Sequence, residues 1–188
     1  LAHARTRISF DELFLFQMGV LGQRRDWQAE RGQPVEASDE WLDGFLATLP
    51  YALTGAQRRA LDEIRGDMAR EIPMNRLLQG DVGSGKTVVA AAAMAMVAQQ
   101  GKQAALMAPT SILAEQHARG IGELLAQTPD GENIQVRLLT GNTSDSEREE
   151  IYAGLADGSI SVVIGTHAVI QESVEFDNLA MAIIDEQH

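Results

Sequence analysis

From Gly80 to Thr87 the chain reads Gly-Asp-Val-Gly-Ser-Gly-Lys-Thr: a glycine, four residues, then Gly-Lys-Thr. That spacing suits one kind of chemistry, the holding of a chain of phosphates. Gly80, Gly83 and Gly85 can adopt the positive φ angles of a tight anion nest, so the N–H groups of Gly83, Ser84, Gly85 and Lys86 can converge on the same oxygens. Lys86 would then reach the β- and γ-phosphates, and the Thr87 hydroxyl would hold Mg²⁺. Lys86 and Lys102 are the only lysines in a chain otherwise supplied with arginine. A compact ammonium suits this position better than a broad guanidinium fork.

A second cluster lies near the end of the sequence, where the apolar run Met181-Ala182-Ile183-Ile184 meets Asp185 and Glu186. In a phosphate-loop protein the acid at a strand end completes the Mg²⁺ shell opposite the threonine, and the next acid can orient or deprotonate water. Asp185 takes the metal role and Glu186 the base role, which favours hydrolysis over transfer to another acceptor. Taken without the upstream loop, the same pair reads as a solvated turn. The four histidines lack metal-ligand spacing such as His-Glu-x-x-His, which argues against a zinc site.

The elements that must position these residues follow from periodicity. Asn75 to Gln79 reads as a short buried strand entering the loop, and Val88 to Gln100 as a helix leaving it, buried on all sides by its Ala/Met/Val composition. Further strands are expected at Gln103–Ala108, Ile134–Leu139, Ile160–Gly165 and Ala180–Ile184, with helices at Ser111–Ala126 and Asp145–Ala156 between them. Such alternation gives an α/β fold with a mostly parallel sheet covered on both faces, whose ligands sit beyond the carboxyl ends of the strands. Upstream, Thr54 and Gln57 form a capping box opening a helix with Ala56, Ala60, Leu61, Ile64 and Met68 inward. Ser9 and Glu12 form another, opening a long amphipathic helix that carries Phe10, Leu13, Phe14, Met18 and Leu21 to about Arg31. A linker over 32–37 and a short helix over 38–49, burying Trp41, Leu42, Phe45 and Leu46, complete a helical N-terminal extension.

Composition sets bounds. The 188 residues suffice for one domain and an appendage, and there is no cysteine for a disulfide or thiolate site. A net charge of −12 argues against binding nucleic acid by bulk electrostatics, so any such contact must be local. The arginine clusters Arg5/Arg7, Arg24/Arg25 and Arg58/Arg59 sit among acids and read as solvated helix faces. No signal peptide or membrane span is expected; the apolar run after the loop is too short.

Several further motifs now fall into order: Leu49-Pro50-Tyr51 with Leu53-Thr54 and Gln57, Ala108-Pro109-Thr110 with Leu113 to His117, Thr140-Gly141, Gly165-Thr166-His167-Ala168, and Asp185-Glu186-Gln187-His188. Together with the loop they resemble the ordered motifs of superfamily 2 DNA helicases, and their spelling resembles the RecG type, translocases of branched DNA. The resemblance runs from about Leu49 to the last residue; a weaker one covers Arg5 to Arg25. It implies a RecA-like phosphate-loop NTPase domain over 50–188, with ATP and Mg²⁺ as cofactors and Lys86, Asp185 and Glu186 as catalytic residues. Gln57 would read the adenine edge, unless helix capping is its whole task. Pro109, Thr110, Thr140, Gly141, Thr166 and His167 would contact the DNA backbone, through hydroxyls and helix-start N–H groups that need no net positive charge; ordinary turn chemistry is the alternative. His117 reads instead as a satisfied residue on the buried side of its helix.

The resemblance also implies partners: forked or branched DNA, and within the same parent chain a second RecA-like domain and an N-terminal DNA-binding domain joined through residues 1–49. The parent would be a monomeric enzyme of the bacterial cytoplasm serving DNA repair and recombination. In the resembled family a further strand lies between the loop strand and the Asp-Glu strand, and the second domain supplies arginine fingers. Neither is found here, so the chain is expected to end its motor domain after the Asp-Glu motif and to bind ATP without helicase activity of its own. A transcription-coupled repair or replication-restart motor, and a nucleotide-gated binding module without motor function, are the alternatives.

Overall fold

The computed structural model describes residues 2–128 and 131–186. Gln187 and His188, which close the Asp-Glu-Gln-His motif, lie outside the described residues, as do the side chains of Arg5 and Arg24. The elements run α1 (Ala2–Ala29), α2 (Asp39–Thr48), α3 (Gly55–Met68), α4 (Lys86–Ala98), β1 (Gln103–Met107), α5 (Ser111–Ala126), β2 (Val136–Leu139), α6 (Asp145–Ala156), β3 (Val162–Gly165) and β4 (Leu179–Ile184). Single 3₁₀ turns occupy 131–133 and 167–170. No helix among the described residues is long and apolar enough to cross a membrane.

All strand pairs are parallel, in the order β2-β3-β1-β4. Alternation along each strand sends residues to two separate cores. Ala104, Leu106, Val162, Ile164 and Met181 join α2, α3, α4 and α5 on one face. Ala105, Val163 and Leu139 meet Ile151 and Leu155 of α6 and Val169 on the other. The sheet is thus covered on both faces, as the sequence pattern requires.

At the centre of the first core lies α4, with Val88, Val89 and every residue from Ala91 to Val97 buried. A helix apolar all round can only sit inside the protein. Burying each Val or Met side chain contributes about 1.5–3 kcal/mol before entropy is counted. The helix begins at Lys86, two residues earlier than its apolar run predicts, so the phosphate loop feeds into it without a spacer. On its other side α3 presents Leu61, Ile64 and Met68 as expected, whereas Ala56 is exposed.

Two larger expectations fail as well. The segment 75–79 forms no strand, because no described residue offers it a ladder partner. It keeps a strand's alternation nonetheless: Met74 and Leu78 pack against the core, Leu77 is exposed, and Arg76 between them pairs with Asp67 (2.6 Å) and Glu63 (2.5 Å) of α3. The hydrogen bonds to Asp67 first, then to Glu63, push the Arg76 guanidinium pKa further up. A cavity of about 310 Å³ separates Ile72, Pro73 and Met74 from residues 179–182 of β4. The other correction concerns α1, which starts at Ala2, so Ser9 lies inside the helix rather than at its start; its side chain is outside the described residues. Its Phe10, Leu13, Phe14, Met18 and Leu21 are all exposed.

The linker over 32–37 is docked on α3 rather than loose. Gly32 N–H donates to the Glu71 carbonyl (2.7 Å) and Val35 N–H to that of Met68 (2.8 Å). Lys102, the second lysine, donates to the Pro34 carbonyl at 2.5 Å. The α2–α3 face is laced by Arg58 with Asp43 and by Arg65 with Asp39.

Two glycines offer a paired test of the packing. A Cβ on Gly165 would overlap the Leu139 carbonyl oxygen and approach Val169 Cγ2 to 2.6 Å, whereas one on Gly44 inside α2 meets nothing within 4 Å. Gly165→Ala should therefore cost about 1–3 kcal/mol through overpacking. Gly44→Ala should add about 0.5–1 kcal/mol by restricting the unfolded chain. Urea unfolding of the two variants reads both signs.

Candidate functional site

The parallel register lines up the strand ends. Leu139 of β2 pairs with Gly165 of β3, Gly165 with Met107 of β1, and Met107 with Ile184 of β4. Immediately beyond this row come Thr140-Gly141, Thr166-His167, Ala108-Pro109-Thr110 and Asp185-Glu186. Three bonds carry the ladder one step further: Thr166 N–H to the Leu139 carbonyl (3.2 Å), Ala108 N–H to Gly165 (2.8 Å) and Asp185 N–H to Met107 (2.9 Å). Four motifs scattered along the sequence thereby share one rim of the sheet.

At this rim the candidate residues differ in what they offer. Pro109 and Thr110 are exposed, with the Thr110 hydroxyl accepting from Leu113 N–H (3.3 Å) to cap α5. Thr140 is buried, its hydroxyl accepting from Asn142 N–H (3.2 Å) and its own N–H donating to Thr143 Oγ1 (2.9 Å), while Gly141 beside it is exposed. Thr166 is half-buried and its side chain does not cap the turn it opens; His167 is exposed.

The phosphate loop takes the left-handed backbone its glycines permit, at two of the three expected and not at Gly80. Gly83 and Gly85 sit at φ +77° and +78°, in the left-handed region. Side chains of Ser38, Thr54, Thr110 and Ser144 cap α2, α3, α5 and α6, but Gly85 at the start of α4 supplies none. The first-turn N–H groups and the positive end of the helix dipole are what an anion would meet there. Lys86 Nζ meanwhile lies across its own loop, donating to the carbonyls of Gly80 (2.8 Å) and Asp81 (3.1 Å).

Gln57 turns out to do two things at once. Its backbone N–H donates to Thr54 Oγ1 (3.3 Å) and its Oε1 accepts from Thr54 N–H (2.8 Å), completing the expected capping box. Its Nε2 donates to the Ser84 carbonyl at 2.8 Å, so the box that starts α3 also clamps the phosphate loop. A Cβ on Gly85 would collide with that same Nε2. Gly85 is therefore required both by φ and by the clamp above it.

The acidic end carries a contact that was not foreseen. His117 Nε2 donates to Asp185 Oδ2 at 2.7 Å, with 18% and 28% of the two side chains exposed. His117 does lie on the inward stripe of α5 with Ala114, Ile121 and Leu125, but what satisfies it is the acid expected to hold a metal. Its position seven residues after Thr110 was a readable sign of the inward stripe; the partner 68 residues away was not. Glu186, exposed, has φ 54°, and it is the one non-glycine residue with positive φ among the described residues. That conformation costs about 1–3 kcal/mol and turns the chain just past the end of β4.

A parallel sheet covered on both faces, with a glycine-rich loop running into a buried helix and acids at a strand end, defines a phosphate-loop nucleotide-binding domain of the RecA-like kind. The family model for DEAD/DEAH box helicases matches residues 54–188, and the chain belongs to that family. It is 50% identical over 188 residues to the ATP-dependent DNA helicase RecG of Thermotoga maritima, covering 100% of this chain and 24% of that relative. It is 45% identical over 185 residues to RecG of Escherichia coli K12, covering 98% and 26%. A solved structure of RecG bound to a three-way DNA junction matches with a TM-score of 0.87 at 50% identity, covering 98% of this chain and 25% of that one. The chain thus spans about a quarter of the length of these relatives.

The double use of Gln57 can be separated from simple capping. Gln57→Ala should lower stability by about 1 kcal/mol, as loss of a helix cap does. It should also speed amide hydrogen exchange over 81–86. A residue that only capped α3 would leave exchange in the loop unchanged.

Proposed function

We propose that the chain is the ATP-binding first motor domain of an ATP-dependent DNA helicase of the RecG type, acting on forked or branched DNA in repair and recombination. The observation that carries this reading is the in-register row of strand ends, which sets the candidate DNA contacts beside Asp185 and Glu186. The bacterial RecG relatives support the choice of parent enzyme and a cytoplasmic setting.

In this reading Lys86 exchanges the carbonyls of Gly80 and Asp81 for phosphate oxygens, the Ser84 N–H likewise leaves the Asp81 carbonyl (3.1 Å), and with the N–H groups of Gly83 and Gly85 and the start of α4 it takes the remaining negative charge. Gln57 steadies the loop from α3, and its carboxamide keeps a second N–H and a second oxygen lone pair with which to meet an adenine edge. Mg²⁺ fits the donors present: the Thr87 hydroxyl and the Asp185 carboxylate are hard oxygen ligands, carried on α4 and at the end of β4, which pack together. When bound, the ion would offset the charge developing on the phosphates. His117 holds Asp185 Oδ2 and leaves Oδ1 for the metal. Glu186 orients or deprotonates the attacking water. On the DNA side, Pro109, Thr110, Gly141, Thr166 and His167 meet backbone phosphates, and Thr140 shapes the turn that presents Gly141.

The remaining parts of the motor belong to the longer parent chain. Residues 1–49 lead from an N-terminal DNA-binding domain, and an extended segment enters by the cavity between 72–74 and β4 and gives 75–79 and β4 the ladder partners they lack among the described residues. A second RecA-like domain supplies arginines whose contribution to rate is on the order of 10³ to 10⁵. The parent works as a monomer.

These assignments predict weak Mg²⁺-dependent ATP binding by the chain alone and no DNA-stimulated turnover. The full-length enzyme should show DNA-stimulated hydrolysis, reduced at least about 100-fold by Lys86→Ala. ATPase rates of both, with and without forked DNA, check this. Robust stimulated hydrolysis by these residues alone would contradict the division of labour, and its absence from the full-length enzyme would favour a nucleotide-gated module.

A further inference from the structure

We propose that His117 is a positioning residue for Asp185, and that α5 thereby ties the DNA-facing rim to the metal-holding carboxylate. This rests on the reading of Asp185 given above. A carboxylate at a strand end can rotate about its terminal bond and present either oxygen. The bond from His117 Nε2 to Oδ2 removes that freedom, and because the pair is largely shielded from water the bond is stronger than a surface contact would be. The Asp185 N–H is fixed on the Met107 carbonyl, so backbone and side chain are held from two different elements.

The element that brings His117 is what makes the contact functional. Thr110 caps α5 at the rim, and Leu113, Ala114, His117 and Ile121 continue down one stripe of the helix. Seven residues of helix separate Thr110 from His117, a rigid rod of about 10 Å. α5 also packs on α4, whose first residues are Lys86 and Thr87. A DNA phosphate that draws on the first turn of α5 therefore acts on a body that holds Asp185 and packs on the helix that follows the phosphate loop. In a packed interior such a shift passes on rather than dissipating.

The test uses the full-length enzyme carrying this sequence, with His117→Ala, His117→Gln and Lys86→Ala. Glutamine keeps an N–H donor near the place of Nε2; alanine removes it. Three readouts are compared: the Mg²⁺ midpoint for binding of a fluorescent ADP, hydrogen exchange over 179–186 without metal or nucleotide, and kcat and KM for ATP with and without forked DNA. His117→Ala should raise the Mg²⁺ midpoint and lower DNA-stimulated kcat by about 10-fold each, the range typical of residues that orient metal ligands. It should speed exchange at the end of β4 and leave KM for ATP within about twofold. His117→Gln should recover most of each loss. Unchanged midpoint and exchange in His117→Ala, or a His117→Gln no better than alanine, would overturn the proposal. If Lys86→Ala abolishes turnover while His117→Ala matches wild type, only this inference fails; if Lys86→Ala keeps its turnover, the reading of the loop fails as well.

Discussion

Everything at the site depends on the register of the parallel ladder. Strands β2, β3, β1 and β4 are brought level at Leu139, Gly165, Met107 and Ile184, so the candidates for chemistry or contact lie within the next few residues on each. Parallel pairing aligns all carboxyl ends on one rim, and a slip of one residue would send each side chain to the opposite face. Gly165 shows how tightly this row is made, since the Leu139 backbone and Val169 occupy the space a Cβ would need. The buried Gln103 secures the opposite end: its Nε2 donates to the Leu155 and Ile160 carbonyls and its Oε1 accepts from Asn178 N–H, all at 2.9 Å. One side chain thus fixes where α6 ends and where β3 and β4 begin.

The phosphate loop stands outside that ladder and is held by other means. α4 anchors it from behind by burial on all sides, Gln57 clamps it from α3, and Arg76 fastens the approach to it on Asp67 and Glu63. Lys86 meets its own loop carbonyls, so its ammonium is satisfied by groups that phosphate oxygens would replace. The loop's glycines already hold their left-handed turns, while the Lys86 ammonium and the Ser84 N–H are engaged with loop carbonyls until an anion replaces them. Pre-organisation of this kind lowers the ordering cost of binding.

How much of this could be read from the residues depended on whether the cause was local. Periodicity located the helices from α2 onward and four of the five expected strands, because burial of one face writes itself into spacing. Thr54 with Gln57 was legible as a cap, but the Ser84 carbonyl that uses the other end of the same carboxamide is 27 residues away. Segment 75–79 has a strand's alternation and no strand, since a ladder needs a neighbour and local sequence does not name one. Ser9 resembled a cap only because Glu12 follows it; Ala2 to Phe10 proved helical as well. His117 was placed on the correct face, and its bond to Asp185 came from the fold bringing the seventh residue of α5 against the end of β4.

The central claim is that the loop at the start of α4 is a nucleotide cradle in which Lys86 trades backbone carbonyls for phosphate. Amide hydrogen exchange of the chain with and without saturating Mg·ATP tests it most directly. Protection should appear over 80–88, while 75–79 continues to exchange fast. No nucleotide-dependent protection over 80–88 would contradict the account.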